Sequence, residues 1–426
     1  MRGAHDPGMD GAPFRVRFSR DDGLHRAVKQ RAAAYFEAMD RARSGDRAMH
    51  AKTAAILGWF AGSYALLLVF GGSSPWLAAA LTVSIAFATA GIGFSVMHDA
   101  NHGAYARSAR VNRAWGLSLD FVGASSYLWR FKHNVHHHTY ANIDGMDADI
   151  DGAPFLRLAA TQRLRFLHRY QHAYAWPLYG VLGLKWWFVD DVVDLVRGRI
   201  GRLPYPRPRG RELAAFVAGK AVFLTWAILV PAVVFRSGWV AVLFLLGSLV
   251  LGIVLATVFQ LAHAVPAARF HAAVPGDQRM ATGWAEHQVR ATVDFAPSNR
   301  LLGWYIGGLN FQVEHHLLPD VCHVHYPALA GAVEATCLAH GVPYHSEPTL
   351  RAAIAAHWRF LRALGRRPDT PAGCEPAAHV DSPHEDAARC TVRTSRAVSY
   401  PWAESLRRMD SYSSGLMTGF RERIQR

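Results

Sequence analysis

The sequence predicts an all-α fold integral to a membrane, with four transmembrane helices in two hairpins under a cytoplasmic helical cap. Three observations predict it: four long apolar segments, a one-sided distribution of positive charge, and three histidine clusters just beyond the apolar segments.

The apolar segments are Ala54–Phe70, Trp76–Val96, Leu213–Phe235 and Trp239–Ala262. Each approaches or exceeds the roughly 20 residues that cross a bilayer core as a helix. Gly71–Pro75 joins the first pair and Arg236–Gly238 the second, links too short for anything but hairpins. Lys220 falls inside the third segment, near enough to its start to snorkel to the interface. Of the 46 Lys and Arg, all but Lys220 and Arg236 fall in residues 1–53, 97–212 and 263–426. By the positive-inside rule both termini and the large central segment are cytoplasmic. The net charge of +14 is then matched by anionic lipid headgroups, and nucleic acid is not expected as a partner.

Composition agrees. With 51% hydrophobic and 18% charged residues among 426, the chain is neither disordered nor fibrous. The first twenty residues are charged and lack an apolar core, so no cleavable signal peptide is expected. Arginine far outnumbers lysine, which points towards a bacterium, where the membrane would be the cell membrane. Cys322, Cys337, Cys374 and Cys390 form no Cys-x-x-Cys pair and read as free thiols. The organisation expected is a cytoplasmic amphipathic segment over 1–53, a membrane domain over 54–365 and a disordered tail over 366–426. Within it, residues 20–50 read as an interfacial helix. The short apolar run Trp115–Trp129 dips into the interface, and residues 327–341 and 348–364 form two cytoplasmic helices.

The chemistry lies in the histidines. His98 and His102 are spaced i, i+4; His133, His136 and His137 are spaced i, i+3, i+4; Gln312, His315 and His316 repeat that spacing with glutamine first. On a helix these offsets share one face, so each cluster aims its ring nitrogens at one point. Seven converging imidazoles exceed the needs of one ion and imply two, of a metal that imidazole suits. The clusters all sit on the cytoplasmic side, close to the bilayer, where a metal can meet a lipid tail. A zinc hydrolase competes, but its His-Glu-x-x-His motif is absent. A metal transporter would need ionisable residues along the spans, which offer only Lys220.

The stretches HDANHG (98–103), HNVHHHTYANIDGMDADI (133–150) and GLNFQVEHHLLP (308–319) resemble the three histidine boxes of the membrane fatty acid desaturases. Residues 325–344 resemble the segment that follows the third box. The resemblance implies an oxidoreductase with two iron ions and O₂ as co-substrate, which removes hydrogen from adjacent carbons of a fatty acyl lipid and reduces O₂ to water. CoA, carrier protein and phospholipid are the three acyl carriers that the resemblance leaves open. Glutamine at the head of the third box is similar to the front-end branch, which acts between an existing double bond and the carboxyl end. A His-Pro-Gly-Gly haem motif, carried by many front-end enzymes, does not occur in the sequence. An external electron donor is therefore expected, a ferredoxin or a b-type cytochrome with its reductase. A hydroxylase on the same scaffold is the alternative that the motifs leave open.

Seven imidazoles leave one of two irons a nitrogen short of four. His263, at the cytoplasmic end of the fourth segment and at the depth of His98, is the expected eighth ligand, and resembles a histidine at the matching place in the family. The expected metal set is therefore His98, His102, His133, His136, His137, His263, His315 and His316. His138 is expected to point off the shared face of its neighbours. His168 and His172 are placed on a surface helix, and His323 and His325 outside the third box. Asp99, Asp149 and Glu314 are candidates to orient the metal-bound rings, with Gln312 and Asn310 as weaker ones.

Overall fold

The protein was analysed as a computed structural model, which describes residues 14–20, 22–274 and 276–366. The expectations for the first thirteen residues and for the tail beyond Arg366 lie outside the described residues.

Helices dominate, and four of those described are long and apolar enough to cross a membrane: Arg47–Ser73, Pro75–His102, Arg211–Phe235 and Trp239–His263. All four expected segments are among them, extended at their ends. The extensions have local causes. Asp46 caps the first helix, accepting from Ala48 N at 2.9 Å and Met49 N at 3.2 Å, so the helix begins seven residues before its apolar run. Ser74 caps the second, with Pro75 in the first helical position.

The second helix carries the site at its far end. Its α-helix from Pro75 to Gly91 passes through a π segment, Ile92–Met97, and resumes over His98–Asn101. Gly103 ends it with a φ of +78°, a left-handed turn suited to glycine, and Ala104 N donates to Asp99 O at 2.8 Å. This helix is the most buried of the four and packs against both the first and the fourth. A second glycine holds the third box close to it. At Gly307, φ +65°, a Cβ would collide with the carbonyl oxygen of Phe94, so the chain there passes against the π segment.

Lys220 departs from the expectation. Its ammonium does not snorkel outward; it donates to Asp191 Oδ2 at 2.8 Å, Gly123 O at 2.7 Å and Trp187 O at 2.8 Å. Pairing inside the protein is the other way to hold a charge at that depth. Two of its partners, Trp187 and Asp191, belong to a helical run, Gln171–Gly180 followed by Leu182–Arg197 with a π turn at Trp186–Asp190, of which the sequence reading placed only the His172 end on a helix. Pro177 and mixed polarity mask it in the sequence.

Beyond the long helices, Gly23–Ala38 packs on Tyr326–Ala339, and Leu350–Leu364 packs on Gln171–Gly180. The 115–129 region is broken into short helices, Ala109–Gly116, Ser118–Phe121 and Ser126–Trp129. The all-α reading needs one correction, because among the described residues eight short strands form four two-stranded sheets. Phe14–Ser19 runs parallel to Gly276–Gly283, and Ile143–Asp144, Arg199–Ile200 and Asp294–Phe295 pair elsewhere. The first strand falls in the segment read only as amphipathic, where its alternation was not taken as a strand signal, and pieces of two residues carry no periodic signal.

Candidate metal centre

Eight imidazoles meet in one buried cluster, in two adjoining sets. The facing nitrogens of His98, His102, His133 and His315 lie within 4.8 Å of one another, and those of His137, His263 and His316 form a second such group. His138 joins them. Its Nε2 stands 3.2 Å from His133 Nε2 and 3.0 Å from His315 Nε2, and its ring stacks on His316 at 4.4 Å between centroids.

The place of His138 corrects the reading of the second cluster. Residues Arg130–His137 form a π segment, whose i→i+5 hydrogen bonds widen the turn. Residues four and five apart then share a face, and those three apart do not. His133, His137 and His138 turn inward, while the nitrogens of His136 belong to none of the close donor groups among the described residues. Trp129, one turn earlier, stacks on His133 with centroids 4.3 Å apart and walls the cluster. The first and third boxes keep α-helical spacing, and their four histidines converge as the sequence predicts.

Four of the eight inward-facing rings, those of His137, His263, His315 and His316, have their far nitrogen hydrogen-bonded. His137 Nδ1 meets Asp147 Oδ2 at 3.1 Å, His316 Nδ1 meets Gln288 Oε1 at 2.7 Å, and His263 Nδ1 meets Ala291 O at 3.3 Å. His315 Nδ1 lies 3.4 Å from Tyr326 Oη, and His98 Nδ1 lies 3.8 Å from Asp99 Oδ1. Such partners fix which nitrogen faces inward. Inside, His98 Nε2, His102 Nε2 and His316 Nε2 are buried and have no hydrogen-bond partner in the protein. A buried polar atom without a partner costs about 1–3 kcal/mol, so three in one cluster need another explanation. Cations ligated by these nitrogens would supply it, and the donor set fits two metal ions.

Electrostatics agree. Burial, then neighbouring imidazoles, hold His133, His138, His315 and His316 well below the usual histidine range, so these rings are neutral and have lone pairs to give. Burial also lowers His137, but Asp147 and Asp149 outweigh it and the net shift is upward. That side of the cluster favours positive charge.

A family profile for fatty acid desaturases matches residues 74–348, which span all three boxes. The chain belongs to the fatty acid desaturase family. It is 35% identical over 368 residues to a protein of Arthrospira platensis named sn-1 linoleoyl-lipid 6-desaturase, covering 85% of this chain and 98% of that one. A Synechocystis protein of the same name is 35% identical, over 83% and 98% of the two chains. The acyl-lipid (8-3)-desaturase of Physcomitrium patens is 37% identical, over 82% of this chain and 72% of its own. The chain is an acyl desaturase, an oxidoreductase of lipid metabolism.

In this desaturase the residues expected to orient the rings fall in different places. Asp99 reaches towards His98 through one oxygen. Asp149 is half-exposed, pairs with Lys132 at 2.9 Å and stands 3.6 Å from His137 Nδ1; the buried Asp147 is the closer partner. Gln312 Nε2 meets His263 Nε2 at 2.9 Å, on the inner side of that ring. Glu314 does not face the rings. It shares Tyr344 Oη with Asp294, and burial pushes Glu314 far up and Asp294 up to about 6, so Glu314 keeps its proton at neutral pH. Asp294 Oδ1 also accepts from Val313 N at 3.0 Å and anchors the start of the third box. Asn310 directs its amide to Ala296 O at 3.5 Å, away from the cluster.

Gln288, Asp147 and Tyr326 were missed. Nothing in the sequence marks Gln288 or Tyr326, and Asp147 was hidden among the acids of 144–151. His168, expected on a surface helix, is buried and bonded to Pro154 O at 2.9 Å.

Proposed function

We propose that this desaturase is an O₂-dependent di-iron enzyme acting on an acyl lipid at the front-end position. The observation that carries the reading is the pair of adjoining sets of buried imidazole nitrogens, three of which have no partner in the protein, with the far nitrogens of His137, His263, His315 and His316 hydrogen-bonded behind them. One iron is assigned to His98, His102, His133 and His315, the other to His137, His263 and His316, with His138 between them. When bound, the iron pair activates O₂ for removal of hydrogen from two neighbouring carbons of a saturated chain.

The chain's own residues supply what surrounds that step. Asp147, Gln288, Ala291 O and Tyr326 lock the ring orientations. Trp129 and the buried third box exclude water. Gln312 meets the inner nitrogen of His263 and would border the second iron. Two electrons enter from an external ferredoxin or b-type cytochrome. The acyl-lipid substrate and the front-end position are supported by the activities for which the relatives are named and by glutamine at the head of the third box.

Expression in a host with defined fatty acids tests this. Mass spectrometry should find a lipid lighter by two hydrogens, with the new double bond between the existing one and the carboxyl end. A product heavier by one oxygen would favour the hydroxylase instead. A double bond on the methyl side would leave desaturation intact and overturn the front-end assignment.

We further propose that the four long helices cross the bilayer as two hairpins, with both termini and the histidine cap cytoplasmic. The positive-charge asymmetry supports this orientation. Reporter fusions at the C-terminus and near Gly72 should report opposite sides of the membrane; the same side from both would refute the topology.

A further inference from the structure

A buried polar chain outside the histidine cluster links three distant parts of the sequence. Lys52, near the start of the first long helix, is 3% exposed, and its Nζ lies 2.8 Å from His323 Nε2. The other ring nitrogen, His323 Nδ1, lies 2.8 Å from Asp99 Oδ2, which also accepts from His323 N at 3.1 Å. Asp99 Oδ1 points back to His98 Nδ1 at 3.8 Å.

The chemistry of each group fixes the direction. An ammonium only donates, so His323 Nε2 accepts and the ring proton sits on Nδ1. That Nδ1–H and the backbone N–H both donate to Asp99. One carboxylate oxygen is thus clamped by two donors, and the other faces the ring of His98. His98 has no hydrogen-bond partner on either nitrogen, so Asp99 Oδ1, 3.8 Å from Nδ1, is the polar group that can steer it. Asp99 directly follows His98 in the helix and cannot steer that ring unless something outside the helix holds it. Lys52 balances the buried carboxylate through the intervening ring and lies over Trp304 at 5.4 Å. Asp99, Cys322 and His323 together resemble a metal-binding group. Both His323 nitrogens are already engaged, which leaves none for a metal.

We infer that Lys52 and His323 are positioning residues for the iron pair, acting through Asp99 to hold His98 Nε2 towards the first metal. The inference rests on the assignment of His98 to that iron.

The test uses the full chain, purified in detergent and loaded with ferrous iron under nitrogen. Two quantities are read: the rate of iron transfer to a competing chelator, and the Mössbauer spectrum, which resolves the two irons. Lys52→Met and His323→Leu should alter the signal of one iron and speed its release about 10- to 100-fold, the range typical of groups behind metal ligands. His323→Asn keeps a donor at the reach of Nδ1, and should return the spectrum close to that of the unaltered protein. Tyr105→Phe, which removes the bond from Tyr105 Oη to Thr53 Oγ1 beside Lys52, should leave both readings unchanged. If His323→Leu does not fold, Lys52→Met and Lys52→Gln carry the test. Unaltered spectra and release in the Lys52 variants would overturn the inference, as would equal losses in Tyr105→Phe. Iron missing from the unaltered protein would instead defeat the di-iron reading itself.

Discussion

Replacing His138 with alanine is expected to cost the enzyme iron and to lower turnover by at least about 100-fold, whereas His136→Ala keeps both. Groups that merely support metal ligands cost about 10- to 100-fold when removed, and a ligand should cost more. His138 earns the larger effect by its position. Its Nε2 lies within 3.2 Å of ring nitrogens from two different boxes, and its ring stacks on a histidine of the second set. His136 is buried too, but its nitrogens join none of the close donor groups. Burial lowers its pKa, so it is a neutral packed ring. The comparison is sharp because the spacing argument gives the opposite order. On an α-helix His136 would face inward with His133 and His137, and His138 would turn away. Iron content and product yield of the two variants decide it. Loss in His136→Ala with normal iron in His138→Ala would show that the segment is α-helical in the loaded enzyme.

The same contrast explains what the sequence could and could not disclose. The four long helices were legible because each holds enough apolar residues to cross a bilayer, and caps such as Asp46 shifted only their ends. The first and third boxes were legible because they are α-helical, where an i, i+4 or i, i+3, i+4 pattern means one face. The second was misread at His136 and His138, whose places are exchanged, because a π segment has the same composition as an α-helix and differs only in its hydrogen bonds. Residues that hold the rings were illegible for another reason. His323 meets Asp99 across 224 positions and Lys52 across 271. Gln288 reaches His316 from a separate helix. Contacts of that range follow from the packing of whole elements, and no local pattern records them. His263 lay between these extremes, since its depth at the end of an apolar helix could be counted along the chain.

Substitution of His263 is the second large effect expected. His263→Ala should lose one iron of the pair and lower turnover by at least about 100-fold, with membrane insertion intact. The ring ends the fourth long helix and lies 4.7 Å from His137 and 5.0 Å from His316, centroid to centroid. Its Nδ1 is held by Ala291 O, a backbone oxygen that no substitution of His263 removes. Gln312 now stands 2.9 Å from the nitrogen that would face the metal. A neutral amide is a weak ligand, so Gln312 should not replace the lost imidazole. An imidazole at the same place should do better, and Gln312→His in the His263→Ala background should regain part of the iron. His172→Ala is the control, because that half-buried ring packs on Trp358 with centroids 5.1 Å apart, outside the cluster. It should change neither iron content nor product yield. Full iron and normal turnover in His263→Ala would remove His263 from the metal site and leave the second set with two histidines, too few to hold an iron without His138.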